Sequence, residues 1–398
     1  TLSLMGAAMA VGGIKDSLIV VVGTDECTYY TKSMTIHSEK FGGIDGRCVS
    51  VVLDDHDVTF GSAEKVQESF KEIIEEYRPQ CVFLVTTCVI EIIGDDFDAI
   101  SEGLSELYGI PVLPVHTEHF KCEDHLPGLE RTITVCAEMM KSCDSDNSVN
   151  LLGQRMGDFA TTELYAMLQK AGVKIGLQLP CGCSVDDIKN AAAAKVNIVV
   201  NDIALPLAQK MQEKFGIPYV YFNKFVIPEK IYEAYKNLFG YLELELPGEL
   251  EGLYQNAREK IEKNKGELEG ITYIYGNTPY AVFEMNCFLS SLGMVPQVIQ
   301  TNRYTEADEP YAKEILQYTD PYVCKAANIA PLQYVYDVLS PYLYLGHEFG
   351  NRLRQKGIAI VHSDRASGMM GFEVTGYLLQ QLVKSVREAK EYRKELGL

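Results

Sequence analysis

Two cysteines of this chain each come shortly after a short apolar run. Cys27 follows the run Ser17–Val22, and Cys88 follows the run Cys81–Val85. Both runs are rich in β-branched residues and end in turn residues, which predicts fully buried strands of a parallel sheet. Ligands bind at the carboxyl ends of such strands, so the two thiols could share one metal ion or cluster. Simple burial of both thiols is the alternative, because cysteine is among the most buried residue types.

A second group of metal-binding residue types lies in residues 114–128 (PVHTEHFKCEDHLPG). Here His116, His119, Cys122 and His125 recur every three residues. Imidazole and thiolate both bind zinc or iron. On a helix, however, residues three apart do not stay on one face over several turns, and in a loop nothing brings the four side chains together. The segment is therefore either a metal site or a surface loop.

The pair Cys181 and Cys183 (LPCGCSVDD) is predicted to lie on a strand-to-helix turn, with Ser184 as the N-cap of the following helix. A C-x-C pair can bind a metal, but the glycine between the cysteines is equally explained by the turn. Both interpretations stay open. For the other cysteines in or beside apolar elements, packing is the default interpretation: Cys48, Cys81, Cys136, Cys143, Cys287 and Cys324.

Strand and helix patterns alternate along the whole chain. This is typical of an α/β protein with doubly wound parallel sheets. The alternation divides into three blocks, at residues 1–148, 149–267 and 268–398, and we expect each block to be a Rossmann-like domain. In the first block, strands are predicted near Ser17–Val22, Cys48–Leu53, Cys81–Val85 and Pro111–Val115.

Composition excludes several classes of function. The chain has 398 residues, 47% of them hydrophobic, which is enough for two or three domains. Its net charge of −19 argues against nucleic acid as a partner. The apolar opening stretch Ser3–Ile14 is too short and too rich in glycine to span a membrane. Eleven scattered cysteines predict a reducing cytoplasm. No phosphate-binding loop is present, so the chain should not hydrolyse ATP itself.

Three motifs in the first block carry a resemblance to a known family: Gly12–Cys27 (GGIKDSLIVVVGTDEC), Asp54–Val66 (DDHDVTFGSAEKV) and Thr86–Ile100 (TTCVIEIIGDDFDAI). In this order and spacing they resemble the cluster-binding domain of nitrogenase component 1 proteins. That family includes the two nitrogenase subunits, the cofactor-assembly scaffold pair, and the dark-operative chlorophyll and F430 reductases. Parts of the second and third blocks are similar to it as well.

The resemblance implies that Cys27 and Cys88 bind an iron–sulfur cluster, a [4Fe–4S] or a larger P-cluster-like group, at an interface with a homologous or identical subunit. A separate ATP-hydrolysing iron–sulfur reductase would deliver the electrons. The family usually has a further cluster cysteine about 25 residues before Cys27, and the sequence leaves open whether one precedes Thr1.

The resemblance also places a cavity in this chain. The loop with Glu118 and Phe120 would line it, with Lys121 and His125 pointing inwards, and His362 matches a cofactor histidine. The cofactor-anchoring cysteine is replaced at Val200 or Asn201, so a nitrogenase-type cofactor is not expected. His125, His362 and Lys121 are the candidate catalytic residues, since histidine can deliver protons near neutral pH. An ordinary surface loop is the alternative for His125.

Three functions are therefore compatible with the sequence. The leading expectation is the catalytic component of a nitrogenase-like reductase that reduces a substrate in the cavity. The alternatives are a scaffold for the assembly of a complex metal cluster, and a non-catalytic partner subunit.

Overall fold

The structure is a computed structural model and describes residues 2–29, 33, 47–122, 124–155, 157–222, 226–276, 278, 281–325 and 329–398. The strands of these residues, numbered in chain order, are β1 (Ile14–Lys15), β2 (Ser17–Gly23), β3 (Cys48–Val52), β4 (Cys81–Thr86), β5 (Val112–Val115), β6 (Ser148–Gln154), β7 (Lys174–Pro180), β8 (Cys183–Ser184), β9 (Val196–Val199), β10 (Tyr219–Tyr221), β11 (Thr272–Tyr275), β12 (Val295–Gln300), β13 (Tyr322–Cys324), β14 (Leu343–Leu345) and β15 (Ala359–Val361).

The α-helices are α1 (Leu2–Gly12), α2 (Asp55–Phe60), α3 (Ala63–Tyr77), α4 (Cys88–Ile93), α5 (Phe97–Tyr108), α6 (Leu126–Val135), α7 (Glu163–Lys170), α8 (Val185–Lys189), α9 (Leu205–Phe215), α10 (Pro228–Tyr241), α11 (Leu250–Leu268), α12 (Val282–Ser291), α13 (Glu309–Tyr318), α14 (Ile329–Leu339), α15 (Gly350–Arg354) and α16 (Phe372–Leu396). Residues 25–29 are also helical. Among the described helices, none is both long and apolar enough to cross a lipid bilayer.

The first sheet is parallel and has the strand order β3-β2-β4-β5. Every residue of β2 and of β4 is buried. Alternate side chains of β2 serve two cores: Leu18 and Val20 pack on one face, and Ile19 and Val21 on the other. The four strands predicted from the sequence are confirmed, with bounds that differ by at most one residue.

The second sheet, also parallel, has the order β10-β9-β6-β7. Helix α1 packs on α6 and contacts both β2 of the first sheet and β7 of the second. One apolar core therefore joins the two sheets, with α1 residues Ala7, Ala10 and Val11 fully buried in it. A short parallel ladder of β1 with β8 adds a further link between them.

The third sheet has the order β13-β12-β11-β14-β15 and is parallel throughout. It has its own cores on its two faces. By its contacts the chain forms two compact units, one with residues 1–156, 172–223 and 241–243, and the other with residues 157–171, 224–240 and 244–398. The α/β class with parallel sheets is confirmed. Each predicted block contains one large sheet, but the bounds of three domains stay a prediction.

Candidate metal centre

The side chains of Cys27 and Cys88 come together at the carboxyl edge of the first sheet. Their Sγ atoms are 3.8 Å apart, and both residues are half-buried. Strands β2 and β4 are neighbours, and the chain leaves β2 towards β3 on one side and reaches β4 and β5 on the other. The two cysteines thus flank the topological switch point of the sheet, the place where open α/β sheets bind ligands.

Gly23 allows the two cysteine loops to approach each other. This residue ends β2, and a Cβ atom added to it would lie 2.1 Å from Oγ1 of Thr87, the residue that precedes Cys88. Such a distance is far inside van der Waals contact, so any side chain at this position would displace one of the loops. The Gly23 carbonyl also accepts a hydrogen bond from Leu53 N (2.9 Å), which ties the loop after β3 to the same edge.

Glu91 stabilises the loop of Cys88 by hydrogen bonds. Its Oε1 accepts hydrogen bonds from Thr86 Oγ1 (3.1 Å), Thr117 Oγ1 (3.1 Å) and the backbone N–H of Glu118 (2.5 Å). Thr86 ends β4, and the other two residues follow β5. One carboxylate on α4 therefore fixes the ends of two strands and the orientation of the helix that starts at Cys88.

The donor set of this edge fits a metal group bound by sulfur. Two thiols whose sulfur atoms lie 3.8 Å apart converge on one place, and thiolate is the usual ligand of iron–sulfur clusters. Burial raises the pKa of Cys88, and the neighbouring Cys27 thiol raises it further. As long as no metal cation is bound, this favours the neutral thiol of Cys88. The Thr87 hydroxyl is buried and has no hydrogen-bond partner among the described residues. Thr87 directly precedes Cys88, so its hydroxyl is a donor without an acceptor at the start of α4, and a sulfur-rich group bound there could accept from it.

The candidate catalytic residues lie in different surroundings. Lys121 is on the surface, with 76% of its side chain exposed, and is paired with Glu118 at 2.8 Å. That carboxylate raises the pKa of Lys121. His125 is half-buried at the N-cap of α6. His362 is exposed and follows β15 in the other compact unit. Whether these three line one cavity stays a prediction.

The three-residue repeat of the loop does not give a shared centre among the side chains that are described. His116 Nε2 lies 3.2 Å from Asp98 Oδ1, the Cys122 thiol donates to Thr117 O at 3.4 Å, and His125 contacts Arg155. The side chain of His119 lies outside the described residues. Each described member of the repeat thus has a separate partner.

The Cys181–Cys183 turn is built as the sequence predicts. Ser184 is the N-cap of α8, where its side chain accepts from Asp187 N in a capping box. Gly182 has a positive φ of 84°, which the turn requires. Burial raises the pKa of Cys183 to about 12 and also raises that of Cys181. A buried thiol of this kind packs as a small apolar side chain, although ligation by the pair remains a prediction.

Sequence reasoning overlooked one group at the edge of the first sheet. Asp54, His56 and Asp57, after β3, bring one potential ligand atom each within 4.8 Å of one another. The two aspartates already form the capping box of α2. The Asp54 side chain accepts a hydrogen bond from the Asp57 backbone N–H, and the Asp57 side chain accepts one from the Asp54 backbone N–H. Local capping accounts for this exposed group.

The parallel sheets define an α/β protein, and the pair of thiols at a switch point is its candidate metal site. A family model for nitrogenase component 1 type oxidoreductases matches residues 3–387, and the chain belongs to this family. The resemblance found in the sequence is thereby confirmed.

Individual relatives are distant. The chain is 31% identical over 220 residues to the nitrogenase iron-molybdenum cofactor biosynthesis protein NifE of Clostridium pasteurianum, which covers 54% of this chain and 48% of that protein. It is 24% identical over 298 residues to the nitrogenase molybdenum-iron protein alpha chain of Methanosarcina barkeri, covering 71% and 56%. The chain thus spans about half the length of the curated relatives that it matches.

A solved structure shares the fold over nearly the whole chain. The structure titled "Nitrogenase Cp1 at pH 6.5" superposes with a TM-score of 0.81, covers 99% of this chain and 93% of its own, and is 15% identical in sequence. At this identity the likeness concerns the fold.

Proposed function

We propose that this chain is a scaffold subunit for the assembly of a complex metal cluster, and that Cys27 and Cys88 bind a resident iron–sulfur cluster at an interface with a second subunit. The observation that carries the cluster site is the 3.8 Å between the two Sγ atoms at the switch point of the first sheet. The resident group would be of the [4Fe–4S] type or larger. The second subunit would be homologous or identical, in a reducing cytoplasm.

The sequence alone favours a reductase over a scaffold, and this proposal ranks the scaffold first. Several relatives bear the name of the cofactor biosynthesis protein NifE, among them those from Clostridium pasteurianum and Rippkaea orientalis. Val200 and Asn201, which match the position of a cofactor-anchoring cysteine, offer no thiolate. A cargo that must leave again is compatible with such a position, whereas a permanently anchored cofactor is not.

Within the cluster site, each protein group has a separate task. Cys27 and Cys88 would supply thiolates, and the resident group, when bound, would supply one-electron transfer. The hydroxyl of Thr87, the residue before Cys88, is buried and would donate a hydrogen bond to a sulfur of the bound group. Glu91 keeps the loops in register through its three acceptor contacts.

A reductase is the second candidate, because the match to the nitrogenase molybdenum-iron protein alpha chain covers 71% of this chain. In that case electrons from a separate ATP-hydrolysing iron–sulfur protein would reach a substrate in the cavity, with His125, His362 and Lys121 as its catalytic residues.

The cluster site is tested by replacing Cys27 and Cys88 with alanine, one at a time. Each variant should lose most of its iron and acid-labile sulfide after anaerobic purification, since a cluster that loses a thiolate ligand is not retained. Cys143→Ala is the matched control, because Cys143 is an exposed thiol of the same compact unit. Unchanged iron in both Cys27→Ala and Cys88→Ala would refute the site.

The two functions differ in the fate of the iron. The iron-loaded protein is mixed with a cofactor-free nitrogenase acceptor, and the iron of both proteins is counted after separation. A scaffold should pass iron to the acceptor while the iron bound by Cys27 and Cys88 stays behind. A constant iron count under these conditions contradicts the scaffold and supports the reductase.

A further inference from the structure

The two thiols of the candidate metal centre are close enough to react with each other. Their Sγ atoms lie 3.8 Å apart, whereas a disulfide bond is about 2.05 Å long, so the sulfur atoms must approach by roughly 1.8 Å. Rotation of a cysteine side chain between its rotamers moves the sulfur atom by more than this. The two residues are 61 positions apart in sequence, so it is the fold that brings them together.

The backbone around both cysteines is fixed by hydrogen bonds. Thr28 N donates to Thr24 O (3.1 Å), which closes the helical turn that carries Cys27. On the other side, Glu91 ties the loop of Cys88 to the ends of β4 and β5. The protein itself therefore holds the two thiols next to each other, and only the side chains have to move for a bond to form.

Solvent access distinguishes this pair from other thiols of the same compact unit. Cys27 and Cys88 are half-buried, so a small oxidant can reach them. Cys81, at the start of β4, is fully buried. Cys143 is exposed, and its Sγ lies against the carbonyl oxygen of Asn190 at 3.7 Å. Access and a neighbouring thiol thus occur together at Cys27 and Cys88.

We propose that Cys27 and Cys88 of one chain form a reversible disulfide that closes the site to iron. The oxidant is a small-molecule disulfide such as oxidised glutathione. One cysteine thiolate attacks a sulfur of that molecule, which forms a mixed disulfide and releases one small thiol. The second cysteine then attacks the protein sulfur of the mixed disulfide and releases the other small thiol. Two protein thiols are oxidised, one small disulfide is reduced, and the two thiol protons go to the released thiols.

Such a disulfide would couple iron loading to the thiol redox state around the protein. Thiolate is the form of cysteine that binds metal, and a sulfur in a disulfide has no thiolate to offer. In a reducing compartment, disulfides are transient and serve catalysis or redox sensing. The oxidised chain would take up iron only after a dithiol has reduced it. The block of iron uptake rests on the proposed cluster site, whereas the disulfide depends only on the contact between the two thiols.

Mass spectrometry of the full-length protein, freed of iron by a chelator and kept without oxygen, tests the disulfide. After incubation with oxidised glutathione, free thiols are blocked with iodoacetamide and the protein is digested. Most chains should yield a cross-linked peptide of Cys27 with Cys88, which dithiothreitol should remove. Cys143→Ala, the matched control, should form the same cross-link as wild type. Cys27→Ala should carry glutathione on Cys88 instead.

Iron uptake tests the closure of the site. The oxidised protein, given ferrous iron and sulfide without oxygen, should bind about 10-fold less iron than the reduced protein, because a cluster is held by thiolates. Dithiothreitol should restore uptake. Protein that already contains iron should not form the cross-link with oxidised glutathione, since its two thiolates are then engaged.

Several results would overturn the proposal. They are full alkylation of both Cys27 and Cys88, a disulfide between Cys181 and Cys183 in their place, and a cross-link between two chains. Full iron uptake by a reduced protein that forms no cross-link would refute the disulfide and leave the cluster site. Reduced wild type that binds no more iron than Cys27→Ala, while the cross-link still forms, would refute the cluster site and the block of iron uptake but leave the disulfide.

Discussion

At the scale of single residues, the small residues next to the two cysteines shape the site as much as the thiols do. Thr87 is the N-cap of α4, yet its side chain makes no capping bond. Its hydroxyl lies instead against Gly23, is buried, and has no partner among the described residues. A buried hydroxyl without a partner costs about 1–3 kcal/mol. The cluster-free protein is therefore destabilised at Thr87, and a ligand that accepts a hydrogen bond from this hydroxyl would remove the penalty.

Thr87→Val measures this contribution. Valine has nearly the same shape and lacks the hydroxyl, so the cluster-free variant should unfold with a free energy about 1 kcal/mol higher than wild type. In the iron-loaded protein the gain should vanish or reverse, because there the hydroxyl has sulfur to donate to. Urea denaturation of both forms supplies the comparison. Thr87→Ser, which keeps the hydroxyl, serves as the control. A variant that destabilises both forms equally contradicts this role.

The residues of the site were predictable to different degrees. Cys27 and Cys88 follow apolar runs that are recognisable as strands, and the family motifs name the same two residues. The contact of His125 with Arg155 was not predictable, because it joins the start of α6, which follows the first sheet, to the end of β6 in the second sheet, 30 residues away in sequence. Nothing local in residues 121–128 or 151–158 indicates that the two side chains meet.

At the scale of elements, the crossing of α1 and α6 joins the first two sheets. It depends on two glycines: a Cβ atom at Gly6 would lie 1.9 Å from His125 O, and one at Gly128 would lie 1.8 Å from Ser3 O. The helices therefore touch through their backbones. Ser3 also donates to Thr117 O at 2.7 Å, which ties α1 to the loop after β5.

Gly128→Ala should destabilise the protein by roughly 1–3 kcal/mol or more, since the added methyl group meets rigid backbone. Gly103→Ala is the matched control on α5, where a Cβ atom would meet nothing within 4 Å. That variant should stabilise by about 0.5–1 kcal/mol, because alanine loses less conformational entropy in a helix. Midpoints of chemical unfolding give both values. Equal effects of the two substitutions would contradict the close crossing.

Strands were easier to predict than α1. The strands of the first sheet are continuous apolar runs between turn residues, and their observed bounds follow from this. Helix α1 is apolar on nearly every side because it is buried between two sheets, so it lacks the polar face by which an amphipathic helix is recognised. The sequence there shows an apolar stretch, but its apolar and polar residues do not alternate with the period of a helix, so a helix is not indicated.

At the scale of the whole molecule, the shared core explains why three sheets form two compact units. The first and second sheets are joined through α1 and α6, whereas the third has separate cores. Alternating strand and helix patterns predict the sheets, because each pattern is local. They do not predict which sheets share a core, because that depends on contacts between distant elements.

The last prediction concerns the number of chains. Each iron of a four-iron cluster needs one external ligand, and Cys27 and Cys88 supply only two thiolates from one chain. A second chain with an equivalent pair completes the set, so every chain that holds a full cluster should be in a dimer. The net charge of −19 on each chain opposes association, and therefore the shared cluster should be the link that keeps the chains together.

Light scattering of the anaerobic iron-loaded protein at moderate ionic strength should give twice the 44.4 kDa mass of one chain when the partner is identical. Removal of iron with a chelator, or the Cys27→Ala/Cys88→Ala double variant, should shift the protein towards monomer, and Cys143→Ala should remain dimeric. Low salt should favour dissociation of the iron-free protein, since repulsion between acidic chains is then least screened. A monomer that retains a complete cluster would rule out a ligand set shared between chains.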